Sequence, residues 1–180
     1  KVEELSKGMQ QIIQFIVAII NDPELIILDE PFSGLDPINS NIIKQKILEL
    51  KNNGSTIVLS THDMNSVEEL CDYVALINNS NLVLQGKVEE IKQTYKENIF
   101  RLIGKGNAEN LKKLPEDRVT IYSINSKYDS TLDVLFKLKN NYSGNDLLKD
   151  IINDFEIVSF SEQLPHMNEI FINLVKKSGV

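Results

Sequence analysis

The sequence predicts an α/β chain with a mainly parallel sheet over residues 1–97, followed by a small α+β domain over residues 98–180. Three observations carry that reading. Runs centred on Leu25–Leu28 and on Ile57–Leu59 flank a helical pattern, the strand–helix–strand alternation of a parallel sheet. Charge is unevenly placed: residues 1–97 carry 8 Lys, no Arg and 15 Asp or Glu, whereas residues 98–180 carry 11 basic and 11 acidic side chains. Beyond residue 98 the pattern becomes βαββαβ with an extra helix, an order compatible with a ferredoxin-like domain.

Taken in order, Ser6 is a good N-cap for a buried helix from about Lys7 to Ile20, which Pro23 stops. Leu25-Ile26-Ile27-Leu28 lacks polar alternation and reads as a strand buried on both faces, closed by Asp29-Glu30-Pro31. Ser33-Gly34-Leu35 form a turn, and Asp36-Pro37 starts a helix that Gly54 ends. Ser55–Thr61 is a second buried strand, followed by His62-Asp63 and a helix over about 65–71. Tyr73–Ile77 and Leu82–Gln85 suggest a hairpin at a sheet edge, and Gly86 marks a turn before a short helix through Tyr95. In the second domain, strands are expected at 99–103, 119–124, 132–138 and 156–160, with helices at 107–114, 144–153 and 166–177.

Bulk properties narrow the function. With 42% hydrophobic and 25% charged residues the chain can bury a core. A net charge of −7 with no basic stripe argues against a nucleic acid partner. No apolar run approaches the roughly 18–20 residues needed to span a bilayer, and no secretory signal is visible. The single cysteine, Cys71, leaves no internal disulfide and suits a reducing cytosol.

The chemistry sits at the strand ends. In open α/β sheets ligands bind at the carboxyl ends of the strands. Asp29 and Glu30 end one strand and His62 follows the next. Parallel neighbours lie roughly 4.8 Å apart, so these side chains can converge. Asp29 could hold a magnesium ion, Glu30 could take a proton from water, and His62 could hydrogen-bond near a phosphoryl group. Each feature also has an ordinary explanation: a solvated acidic pair, a solvent-facing histidine, Ser6 as a cap, Asp36-Pro37 as a helix start.

Four pieces in order change that weighting. Leu25–Pro31 resembles the Walker B strand of ABC ATPases with its adjoining glutamate, and Ser33-Gly34-Leu35-Asp36 resembles their D-loop. Ser60-Thr61-His62-Asp63 resembles the switch histidine loop, and Leu5-Ser6-Lys7-Gly8-Met9-Gln10-Gln11 the signature motif. The chain is thereby similar to part of an ABC ATPase, a P-loop NTPase, in a branch like the bacterial drug and sodium exporters. Lys7 and Met9 replace the commoner glycine and glutamine of the signature.

The resemblance implies ATP and Mg2+ as cofactors, Asp29 as the metal ligand, and Glu30 and His62 as catalytic residues. It also implies Ser6, Lys7, Gly8 and Asp36 as nucleotide-contacting residues in a head-to-tail dimer with a second ABC ATPase subunit. A transmembrane permease subunit would be the other partner, placing the protein at the inner face of the membrane. A helix start is physically suited to a phosphate, through its unpaired N–H groups.

The Gly-x-x-x-x-Gly-Lys-Ser/Thr phosphate loop appears nowhere in the 180 residues, so the chain is expected to be a piece of a longer cassette, inactive alone. Leu164–Leu174 resembles the closing Pro-x-x-x-Glu-x-Phe-x-x-Leu pattern of an accessory domain, with Ile170, Phe171 and Leu174 expected against a sheet and His166 structural. A regulatory or dimer-stabilising role is expected for residues 98–180. The alternatives are a soluble ABC-type ATPase outside transport and a pure dimerisation module.

Overall fold

Ser6 leaves the extended region at φ −62° and ψ 156° and starts α1 (Lys7–Ile19), its hydroxyl accepting the Met9 N–H. The computed structural model describes residues 5–126 and 130–177, divided between two compact units that part at Val88/Glu89. The composition shift at Glu97 lies inside the second of these.

In the first unit, β1 (Leu25–Asp29) and β2 (Thr56–Ser60) pair in parallel, with Asp29 in register with Ser60. The crossover between them is α2 (Pro37–Asn52), capped by Asp36 with Pro37 in its first turn. Its last turn closes through Gly54 N–H to Lys51 C=O and Ser55 N–H to Leu50 C=O, the paired bonds of a Schellman motif. Phe15 of α1, Ile26 and Leu28 of β1, and Ile43, Ile47 and Leu50 of α2 share one core with Leu70 of α3 (Met64–Leu70).

Burial here departs from expectation. Ile26 and Leu28 are buried, but Leu25 and Ile27 stay 55% and 72% exposed, and Val58 of β2 is 53% exposed. An unbroken apolar run predicts cover on both faces; among the described residues α1 and α2 supply it on one. The same holds for α1, which buries Phe15 while Met9, Ile13, Ile16 and Val17 remain exposed, as does Ile20 at its C-cap.

The hairpin β3 (Tyr73–Asn78) and β4 (Asn81–Lys87) is antiparallel and turns through Asn79 and Ser80, both at positive φ. It forms its own two-stranded sheet. A groove of about 920 Å³ is lined by residues of β2 (Thr56, Val58) and of the hairpin (Tyr73, Ala75), and no ladder joins the two. Gly86 is not a turn: it pairs with Val74 inside β4. The helix that follows is α4 (Val88–Thr94).

The second unit runs β5 (Ile99–Gly106), a 3₁₀ helix (Ala108–Lys113), β6 (Val119–Ser126), β7 (Thr131–Leu138), α5 (Gly144–Ile151), β8 (Phe155–Gln163) and α6 (Met167–Lys177). Its four-stranded sheet has the order β6-β7-β5-β8 and every pairing is antiparallel. Strands β5 and β6 both oppose β7, which lies between them, so they run parallel: the split βαβ of a ferredoxin-like fold. The first crossover is 3₁₀ rather than α. Six residues capped by Asn107 give only two turns, and Leu111 and Leu114, three apart, are both buried.

Leu102, Val134, Phe136, Leu147 and Ile151 form the centre of this unit's core. Arg101 of β5 grips Asp133 of β7 with two hydrogen bonds, Nε to Oδ1 at 2.8 Å and Nη2 to Oδ2 at 2.6 Å. Gly104 occupies an irregularity between β5 and β8; a Cβ there would meet the Glu156 carbonyl oxygen at 2.7 Å. On α6 the buried residues are Met167 and Ile170, with Phe171 and Leu174 half-buried, so the inward face begins one turn earlier than expected.

Candidate functional site

The parallel register of β1 and β2 places Asp29 beside Ser60 at the carboxyl end of the pair. The Ser60 hydroxyl donates to Asp29 Oδ1 and accepts the Glu30 N–H at 3.0 Å. The same N–H lies 3.2 Å from the Ser60 carbonyl oxygen. Glu30 turns sharply out of the strand at φ 43°, the left-handed region a non-glycine residue rarely occupies. That turn carries its side chain across to His62, whose Nδ1 lies 2.8 Å from Glu30 Oε1. The hydrogen bond to Glu30, then its negative charge, raise the His62 pKa above its ordinary value, with Asp63 adding to the effect. The His62 side chain is 87% exposed and that of Glu30 37%, so the pair faces solvent.

Behind His62, Asp63 caps α3 by accepting the Asn65 N–H at 3.1 Å and the Ser66 hydroxyl at 2.5 Å. The Ser66 bond chiefly holds the Asp63 carboxyl below its usual range. Asp36 is likewise committed to its own helix: it accepts from Ile38 N–H at 2.9 Å, Asn39 N–H at 3.0 Å and Asn39 Nδ2 at 2.6 Å. The Asn39 bonds keep its pKa low, so it is a carboxylate near neutral pH.

The start of α1 lies against the turn that follows Glu30. A Cβ on Gly8 would come within 3.2 Å of the Gly34 carbonyl oxygen, and Gly34, at φ 76°, has the Lys7 side chain alongside at 3.5 Å from an added Cβ. Gly34 is favoured by its left-handed backbone, and Gly8 by the tight approach of a backbone carbonyl. Gln11 Nε2 donates to the Glu30 carbonyl at 3.4 Å. Ser6 and Lys7 are exposed and Gly8 half-exposed.

The structure therefore brings Asp29, Glu30 and His62 to one strand-end cluster, lays Lys7 and Gly8 against the Gly34 turn, and keeps Ser6 and Asp36 at helix starts. Ser60 and Gln11, which touch Asp29 and Glu30, stand within the histidine-loop and signature motifs but have no role assigned from the sequence.

Among the described residues no group of three or more His, Cys, Asp or Glu is arranged to hold a metal ion. Magnesium does not require one. It keeps several waters and takes one or two carboxylates plus substrate phosphate oxygens. Asp29, exposed at the strand end with a hydroxyl beside it, fits that limited demand.

Residues 86–175 match the family model of the ATP-binding protein DrrA1-3-like C-terminal domain. Residues 1–68 match an AAA domain model associated with the AbiEii toxin of type IV TA systems. An uncharacterised ABC transporter ATP-binding protein of Alkalihalophilus pseudofirmus is 47% identical over 115 residues, covering 64% of this chain and 43% of its own. A fluoroquinolones export ATP-binding protein of Mycobacterium tuberculosis is 50% identical over 91 residues, covering 51% of this chain and 30% of its own. An uncharacterised ABC transporter ATP-binding protein of a Nostoc species is 34% identical over 174 residues, covering 96% of this chain and 48% of its own. The chain spans less than half the length of each of these relatives.

The fold is an α/β architecture consistent with part of a P-loop NTPase, joined to a ferredoxin-like domain. The chain belongs to the ABC transporter ATP-binding proteins and carries their DrrA-like C-terminal domain.

Proposed function

We propose that the chain is part of the ATP-hydrolysing subunit of an ABC transporter and contributes half of an ATP site. The observation that carries this reading is the Glu30–His62 contact at the end of the parallel strand pair, 2.8 Å across, beside Asp29. In it, Leu25–Glu30 is the Walker B strand, residues 33–36 the D-loop, His62 the switch histidine and residues 5–11 the signature motif. Asp29 would hold magnesium, which supplies charge neutralisation between the phosphates.

Glu30 accepts a proton from the attacking water as its oxygen bonds to the γ-phosphorus and the bond to the ADP oxygen breaks. His62 donates a hydrogen bond to the transferred phosphoryl group and is held for that task by Glu30. Ser6, Lys7 and Gly8, at the exposed start of α1, face the γ-phosphate of ATP on a second subunit, and Asp36 lies at the seam between the two sites. Closure of the dimer on ATP and its reopening after hydrolysis drive a transmembrane permease. No helix among the described residues is long and apolar enough to cross a membrane, in keeping with a peripheral subunit at the inner face. The name of the Mycobacterium relative supports export as the direction. Residues 98–180 serve regulation or dimer stability.

Titration of the 180-residue chain with a fluorescent ATP analogue tests the half-site reading. No saturable binding in the micromolar range is expected from a chain without the phosphate loop, and micromolar affinity would refute it. In the subunit that supplies the phosphate loop, Glu30→Gln is expected to lower ATP turnover by roughly 10²–10⁴-fold. Unchanged turnover would remove Glu30 from the chemistry.

A further inference from the structure

We propose that Ser60 is the positioning residue of this site, its hydroxyl tying the Asp29 carboxylate to the Glu30 backbone and so aiming the Glu30 carboxylate at His62. This inference rests on the half-site reading above and names a residue that reading does not use.

The geometry is economical in groups. A serine hydroxyl has one proton to donate and lone pairs to accept with. Ser60 spends the proton on Asp29 Oδ1 and accepts the Glu30 N–H at 3.0 Å. Two consecutive residues with different tasks are thereby referred to one atom on the neighbouring strand. The strand register makes this possible, since Asp29 and Ser60 are direct partners.

The consequence appears at Glu30. Its backbone sits at φ 43°, a conformation that L side chains adopt only where surrounding bonds over-determine it. The bonds that do so are the Glu30 N–H to the Ser60 hydroxyl and carbonyl, and the Glu30 carbonyl to the Ser33 N–H at 3.0 Å. Gln11 adds a longer contact at 3.4 Å. Of these, only the Ser60 hydroxyl belongs to a side chain that also touches the acidic partner. An ordinary packing role does not account for it, because Ser60 is exposed and outside the core. Its neighbour Thr61 is not a substitute, since that hydroxyl accepts the Asp63 N–H at 3.1 Å.

The test uses the 180-residue chain without nucleotide and follows the His62 ring by NMR through a pH titration, in the wild type and in Ser60→Ala, Ser60→Thr and Glu30→Gln. Glu30→Gln is expected to lower the His62 midpoint toward that of an ordinary imidazole, with the Asp63 charge still in place. Ser60→Ala should reproduce at least half of that fall with an unchanged thermal unfolding midpoint, while Ser60→Thr, which keeps the hydroxyl, should titrate like wild type. A Ser60→Ala midpoint equal to wild type, alongside a lowered Glu30→Gln midpoint, overturns the Ser60 assignment and leaves the acidic–histidine pair standing. A Glu30→Gln midpoint equal to wild type overturns the pair itself, and Ser60 with it.

Discussion

His62 is the residue whose response to pH the structure predicts: its ring pairs with Glu30 while most of the side chain faces solvent. Its pKa is raised in the fold by the hydrogen bond and charge of Glu30. A group whose folded pKa exceeds its unfolded value stabilises the fold fully below the unfolded value, about 6.5, and loses that contribution as pH rises through the folded value. The thermal midpoint of wild type should therefore exceed that of His62→Ala most clearly at mildly acidic pH, with the gap closing toward alkaline pH. A gap that widens with pH would contradict the pairing. The place of the cluster was legible from local signals, an apolar run ending in an acidic pair and a histidine after the next strand; its reading as an ATP site came from four motifs in order. Ser60 and Gln11 were not, since their importance arises from register and from a helix crossing the turn. Asp36 carries two readings from the sequence, a helix cap and, through the resemblance, a nucleotide-contacting residue; three hydrogen bonds to its own helix start bear out the cap.

At the scale of elements, helix starts and one close strand approach offer the sharpest tests. Ser143 and Asp146 form a capping box at the start of α5, each side chain serving the other's backbone N–H. Replacing Ser143 with Ala should cost about 1 kcal/mol in urea unfolding, and a change near zero would mean the box is frayed in solution. Gly104→Ala should be more damaging, about 1–3 kcal/mol, because its methyl would sit 2.7 Å from a backbone carbonyl oxygen that cannot move aside without breaking the β5–β8 ladder. Strand positions in both units follow the apolar pattern closely. Exposure does not: Leu25 and Ile27 are apolar yet uncovered, because pattern reports what a face can bury and not whether a partner is present. The 3₁₀ crossover was equally hidden, since an i, i+3 pair of leucines suits either helix type.

For the whole molecule, the division at Val88/Glu89 predicts separable folding. Residues 89–180, expressed alone, should unfold in one cooperative transition, with its own core around Val134, Phe136 and Leu147. Phe136, fully buried, should cost about 3–5 kcal/mol when cut to Ala, and the loss should appear in the transition of that unit while the His62 titration of the intact chain is unmoved. A coupled loss of both would join what the contacts separate.

The Arg101–Asp133 fork has a wider effect than its two bonds. Asp133 is 8% exposed, so its ionised oxygens have little water to fall back on. Sliding β5 by one residue along β7 would turn Arg101 to the opposite face and strand an anion in the interior. Misaligned versions of the domain are thus penalised by electrostatics before packing is consulted, and a central sheet rich in interchangeable aliphatics acquires a single permitted alignment.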